Sequence, residues 1–176
     1  MKTSLIAAVG AACLLLTAPF AVAQDKPTDP QIAHIAYSAG VIDIEAAKLA
    51  LEKTTNEDVA AFARSMQQDH EAVNVQALEL AEKLNVTPED NPTSQALTKA
   101  ADEKRAELGK LDGAAFDKAY IDNEVAYHKA VISAVEGLLI PEAENAELKA
   151  LLQNVVPALQ AHLEHAEMLQ SQLNGK

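Results

Sequence analysis

The chain is 176 residues long, which sets one domain as the expectation, and it carries 14 Lys+Arg against 26 Asp+Glu for a net charge of -12. That acidity argues against nucleic acid and anionic membrane surfaces as partners, because both repel it. Hydrophobic residues make up 49%, enough for a buried core, whereas aromatics are only 3% and Trp is absent, which disfavours aromatic stacking platforms and sheet-rich folds. The abundance of Ala, Leu, Glu, Gln and Lys, all good helix formers, makes an all-α domain the expected class.

The N-terminus reads as an address. Lys2 supplies a positive charge, Leu5 to Leu16 an apolar run, and Ala21-Val22-Ala23 a small-x-small cleavage site. Residues 1–23 therefore read as a signal peptide. A membrane anchor is the competing reading, but a stretch that ends in Pro19 and an Ala-x-Ala site is short for a span. Cleavage near Ala23 implies a periplasmic or extracellular chain with no membrane span. The only cysteine, Cys13, lies inside this segment; Gly10 stands where a lipidation motif wants a branched apolar residue. The mature chain then has neither disulfides nor thiolate ligands, and its stability must come from packing.

Residues 24–29 form a polar, Pro-containing leader, expected to be flexible, and residues 30–174 a single helical domain. A helix is expected over about 30–53, with Ile35, Ala39, Ile42, Ala46 and Leu49 as its apolar stripe and Pro30 in its first turn. Thr55 and Asp58 resemble a capping box for a second helix reaching about residue 85. Its stripe is Val59, Phe62, Met66, His70, Val73, Ala77, Leu80 and Leu84. Pro88 and Pro92 mark a loop, followed by a shorter helix over about 94–108. Asp112 can cap a third long helix to about residue 139, with Phe116, Tyr120, Glu124, His128, Val131, Val135 and Leu138 in line. A last helix, to about residue 173, carries Leu148, Leu152, Val155, Leu159, His162, Ala166, Leu169 and Leu173, with Pro157 expected to kink it or free a carbonyl. Four amphipathic helices of about 25 residues, each about 37 Å long, make a four-helix bundle. The segment between the second and third is long enough to cross the bundle end to end, as the crossover of ferritin-like bundles does.

The informative feature is what sits on the stripes. His70, His128 and His162 fall in line with the apolar residues of three helices. Glu124 lies one turn from His128, and Glu45 on the core-side edge of the first helix. Burying carboxylates beside imidazoles is costly unless they are paired or bind a metal. Convergent Glu and His from facing helices is how bundles build metal sites. Glu45, His70, Glu124, His128 and His162 are therefore the candidate ligands. The competing readings are that each histidine is a hydrogen-bonded core residue and that Glu124–His128 is a plain helix pair. Asp69 could orient His70 or face water, Tyr120 could hydrogen-bond Glu124, His34 reads as surface, and Met66 and Met168 read as core fillers. Met66–His70 and His165–Met168 are at the spacing of soft-ligand pairs for copper(I). No Gly-rich phosphate loop, nucleophile elbow or Ser-His-Asp set stands out.

Met66-x-x-Asp69-His70, Phe116-Asp117-x-x-Tyr120 with Glu124 and His128, and Pro157 followed by His162 resemble the bacterial domain-of-unknown-function family numbered 4142, over about residues 31–169. These are exported proteins often labelled outer-membrane or periplasmic. The resemblance implies a ferritin-like helical bundle, export and no established activity, and it maps onto Glu45, Asp69, His70, Glu124, His128 and His162. The iron-oxidising pattern of Glu-x-x-His on two helices is absent: Gln67 precedes His70, and His162 precedes His165. A His-rich set favours zinc or copper, with iron less favoured. The expected function is thus an exported bundle that binds a transition metal, in metal handling or stress tolerance. A non-catalytic envelope-stress or protein-interaction module with structural histidines is the alternative. An enzyme is the lesser expectation, and the sequence names no protein partner.

Overall fold

Most of the helices start where the sequence offers the backbone a cap, although Asp112 makes no side-chain capping bond at the head of the helix over residues 113–134. In the computed structural model, which describes residues 26–175, α1 (Asp29–Lys53) has a proline in its first turn, where the missing N–H costs nothing. Helix α2 (Glu57–Lys83) is capped by Asn56, whose side chain accepts from the N–H groups of Asp58 and Val59. Asn56, not the expected Thr55, fills this role. Asn91 opens α3 (Pro92–Leu108) and Asn145 opens α6 (Ala146–Asn174) in the same way. Between them, α4 (Gly113–Ala134) continues through a π-helical turn (Val135–Leu139) into the single turn α5 (Ile140–Glu142). The signal-peptide reading of residues 1–23 lies outside the described residues.

The fold is an all-α bundle. Helix α1 packs on α2 and α4, and α6 packs on the same two, so the four long helices close a ring. Helix α3 runs along the outside of α1. At its start, Asn91 Nδ2 donates to the Gln31 carbonyl and His34 Nδ1 lies 2.9 Å from Ser94 Oγ. At its end, Lys53 Nζ donates to the Gly109 carbonyl and pairs with Asp112. This crossover carries the chain from one end of the bundle to the other, so α2 and α4 run parallel. It also half-buries His34, whose ring helps to anchor α3.

The interior has three layers. One apolar layer holds Ala47, Ala50, Val59, Phe62, Met66, Phe116, Tyr120, Ile121 and Leu169. The other holds Ile32, Ile35, Val135, Leu139, Leu148, Leu152 and Leu159. On all four long helices, the residues lying between these two sets include a buried polar side chain: Asp43, His70, His128 and His162.

One stripe position and one expected core filler depart from expectation. The π turn, closed by the Ile140 N–H on the Val135 carbonyl, inserts one residue into the helical repeat. The stripe therefore rotates, placing Leu139 in the core and leaving Leu138 40% exposed. Met168 is 52% exposed rather than a core filler. Helix α6 runs unbroken through Pro157, which faces outward beside exposed Gln153, so the carbonyl the proline leaves free can be hydrated.

Candidate metal centre

Five side chains converge on the middle layer. Asp43 comes from α1, His70 from α2, Glu124 and His128 from α4, and His162 from α6, and all five are buried. His70, His128 and His162 each bring one ligand atom within 4.8 Å of the others', and so do Asp43, Glu124 and His128. The imidazole rings sit 5.3–5.9 Å apart, centroid to centroid. Asp43 Oδ2 lies 3.3 Å from His70 Nε2 and 3.5 Å from His128 Nε2.

The outward nitrogens of two of these rings are held, which turns the other nitrogen inward. His128 Nδ1 lies 3.0 Å from the Glu124 carbonyl oxygen. A proton on Nδ1 makes that bond and leaves the Nε2 lone pair facing Asp43. His162 Nε2 lies 3.0 Å from Asp69 Oδ2. A proton there leaves the Nδ1 lone pair facing the cluster. A carboxylate on the far nitrogen of a ligating histidine is a recurrent feature of metal sites. Asp69 neighbours His70 in sequence but serves His162 on another helix, since adjacent helical residues point about 100° apart.

The inward atoms have nothing to bond. Among the described residues, Asp43 Oδ1 and Oδ2, His70 Nε2, Glu124 Oε1 and Oε2, His128 Nε2 and His162 Nδ1 are buried without a hydrogen-bond partner. Tyr120 Oη is the one further such atom; the bond to Glu124 that its one-turn spacing allows is not formed. Native proteins rarely leave buried polar atoms unpaired, and each costs about 1–3 kcal/mol. Titration reflects the same isolation. Burial pushes the Asp43 carboxyl up to about 7. Burial, and then the charge of Asp43, holds Glu124 well above the usual carboxylate range. Burial lowers His70 to about 3, with His128 and His162 adding repulsion, and lowers His128 to about 4. Without a cation, the cluster favours neutral imidazoles and protonated acids.

The structure brings four of the five sequence candidates together and excludes one. Glu45 points away from the cluster, is 41% exposed and pairs with Lys48 at 2.9 Å. Asp43 takes its place. Two residues along a helix is about 200° of rotation, so the two carboxylates of α1 face opposite ways. The signal for Asp43 was present: Ile32, Ile35, Ala39, Asp43, Ala47 and Ala50 follow at steps of 3, 4, 4, 4 and 3. His165 is outside the cluster, its ring set edge-on against Phe62 at 5.2 Å. With Met168 exposed, the His165–Met168 pair is not a buried soft-ligand site.

A helical bundle with a buried His/carboxylate cluster is the class that fold and site define. The chain belongs to the family described as "Domain of unknown function (DUF4142)", whose model matches residues 16–169. Among solved structures, the chain is similar to a DUF305 protein from Streptomyces coelicolor, described as a presumed secreted protein, at 13% identity and a TM-score of 0.70, covering 82% of this chain and 92% of that one. It is similar also to a DUF305 fragment from Deinococcus radiodurans, at 12% identity and a TM-score of 0.70, covering 84% and 99%. At that identity the likeness speaks for the fold alone. No curated protein matches the chain. No helix among the described residues is long and apolar enough to cross a membrane.

Proposed function

We propose that this protein is an exported bundle that holds one divalent transition-metal ion, zinc or copper(II), in metal handling or stress tolerance. His70 Nε2, His128 Nε2, His162 Nδ1 and Asp43 are its ligands, with Glu124 beside them. The observation that carries this reading is the set of buried, unpartnered donor atoms aimed at one another from all four long helices. Ligand atoms on a tetrahedral zinc ion, at bonds of about 2.0–2.1 Å, stand about 3.3 Å apart. The separations from Asp43 to the two Nε2 atoms, 3.3 and 3.5 Å, match that spacing.

Charge balance supports a single divalent ion. Two carboxylates neutralise a charge of +2, whereas a second divalent ion would bury an uncompensated charge at a cost of several kcal/mol. Copper(I) would leave one carboxylate charge unbalanced. Imidazole suits zinc and copper. The N-terminal export pattern supports action outside the cytoplasm.

A second reading has its own support: with Asp43 titrating at about 7, a proton on its carboxyl could bond an imidazole nitrogen and make the cluster structural. Elemental analysis separates the two. Untagged protein purified from periplasm, and again after zinc or copper(II) reconstitution and desalting, should retain about one ion per chain. A His70→Ala, His128→Ala double variant should retain none. A wild type that holds no metal after reconstitution would make the cluster structural.

A further inference from the structure

The cluster is not equally shielded on all sides. Asp43, Glu124 and His128 are each 1% exposed, whereas His70 and His162 reach 7% and 9%. These two come from α2 and α6, and their rings lie 5.3 Å apart at a 53° tilt. The middle layer therefore approaches solvent along the α2–α6 seam and is closed where α1 meets α2 and α4. At the mouth of that seam stands Asp69. Its side chain is 56% exposed, and its Oδ2 lies 3.0 Å from His162 Nε2. One carboxylate thus touches both water and a histidine of the cluster.

We propose that the ion passes in and out between His70 and His162, and that Asp69 is the carboxylate that receives it. This rests on the metal reading above. A hydrated divalent cation meets negative charge on Asp69 before any buried donor. It then trades water for His162 Nδ1 and His70 Nε2, and last for Asp43 and His128 deeper in. Asp69 acts through His162 as a positioning residue and, by its charge, as the outer docking point. The direct attraction between a divalent ion and one carboxylate at about 5 Å in a water-like medium corresponds to roughly tenfold in local concentration.

The test is the rate of zinc uptake, followed by stopped flow with a chromophoric zinc indicator, on the full mature chain. Wild type, Asp69→Asn and Glu82→Gln are compared at two salt concentrations. Asn keeps an acceptor for His162 Nε2 and removes the charge. Glu82 is exposed near the far end of α2, so Glu82→Gln makes the same change in net charge away from the seam. Asp69→Asn should load about tenfold more slowly, with a weaker salt dependence, and still reach one zinc per chain. Glu82→Gln should load at the wild-type rate. A purely positioning role would leave uptake unchanged and speed only zinc release; that result, or equal slowing in both variants, overturns the route while the metal centre stands. Failure of the wild type to take up zinc overturns the metal centre and the route with it.

Discussion

Two layers of the bundle interior are both buried and are held by different means. Around Phe62, Phe116 and Tyr120, the rings pack stacked or edge-to-face at 6.1–6.3 Å, and the buried side chains clustered with them are apolar apart from one phenol, with His165 and Lys53 at the margin. One level along the same helices, Asp43, Glu124 and three histidines fill the interior with polar atoms that lack partners. The first layer is complete as it stands, since hydrophobic burial needs no further ligand. The second is incomplete on chemical grounds and needs a cation or protons. A bundle can carry such a layer only because the apolar layers on both sides of it supply the stability.

Substitutions in the two layers should therefore behave oppositely. Phe116→Ala should cost about 3–5 kcal/mol of unfolding free energy in EDTA, read by urea denaturation. In the same buffer, Asp43→Asn should cost little or add stability. A large loss from Asp43→Asn without metal would mean that the polar layer holds itself together.

Metal should narrow the gap between the two layers. Zinc at about 100 times its dissociation constant should raise wild-type stability by about 2.7 kcal/mol, and His128→Ala should abolish the gain. The gain should grow from pH 5 to pH 8, because the ligands must lose their protons to bind. Thermal melts with and without zinc across that range check both, and a pH-independent gain would point to binding elsewhere.

Without metal, pH between 4 and 8 should act mainly on the polar layer. Asp43, raised to about 7 from an ordinary 3.8, keeps a proton in the folded state that the unfolded chain releases. Its contribution is full below about pH 4 and is lost as pH rises through 7. Glu124, raised in the same direction, extends that loss to higher pH. His70 and His128, lowered to about 3 and 4 from 6.5, stay neutral while the unfolded chain takes up protons, so their penalty grows as pH falls below 6.5. Between pH 4 and 6.5 the two effects oppose each other. Above 6.5 the carboxylates dominate, and metal-free stability should fall up to pH 8. Urea midpoints in EDTA would show it, and a flat profile would mean that the acids are not protonated in the folded state.

The smallest effect concerns how α1 and α2 come close enough for Asp43 to reach His70. A methyl group at Gly40 would run into the Asn74 side chain, within one turn of both residues. Gly40→Ala should cost about 1 kcal/mol by overpacking, and Asn74→Ala in the same chain should restore most of it. An additive double variant would remove the close approach from the explanation.

Much of this was legible in the sequence, and the exceptions have physical causes. The 3.6-residue period, the prolines and the breaks gave four long helices and the crossover. His70, Glu124, His128 and His162 were visible because each replaces an apolar residue on a single clear stripe. Asp43 lies on one of two competing stripes, because α1 is covered by α2 and α4 on one side and α3 on the other. Its buried face is therefore too broad for one stripe to define, and Glu45 fell on the wrong edge. Leu138 was misplaced by a π turn that periodicity does not register. Asp69 was read beside its sequence neighbour His70, whereas its partner lies across a seam between helices that are far apart in the chain.

The most direct test sets the two carboxylates of α1 against each other. Zinc stoichiometry and affinity are measured by competition titration for wild type, Asp43→Asn and Glu45→Gln. The account predicts one tightly held zinc in wild type and Glu45→Gln, and at least a tenfold loss of affinity in Asp43→Asn. Wild-type affinity in Asp43→Asn, or a loss confined to Glu45→Gln, would contradict it.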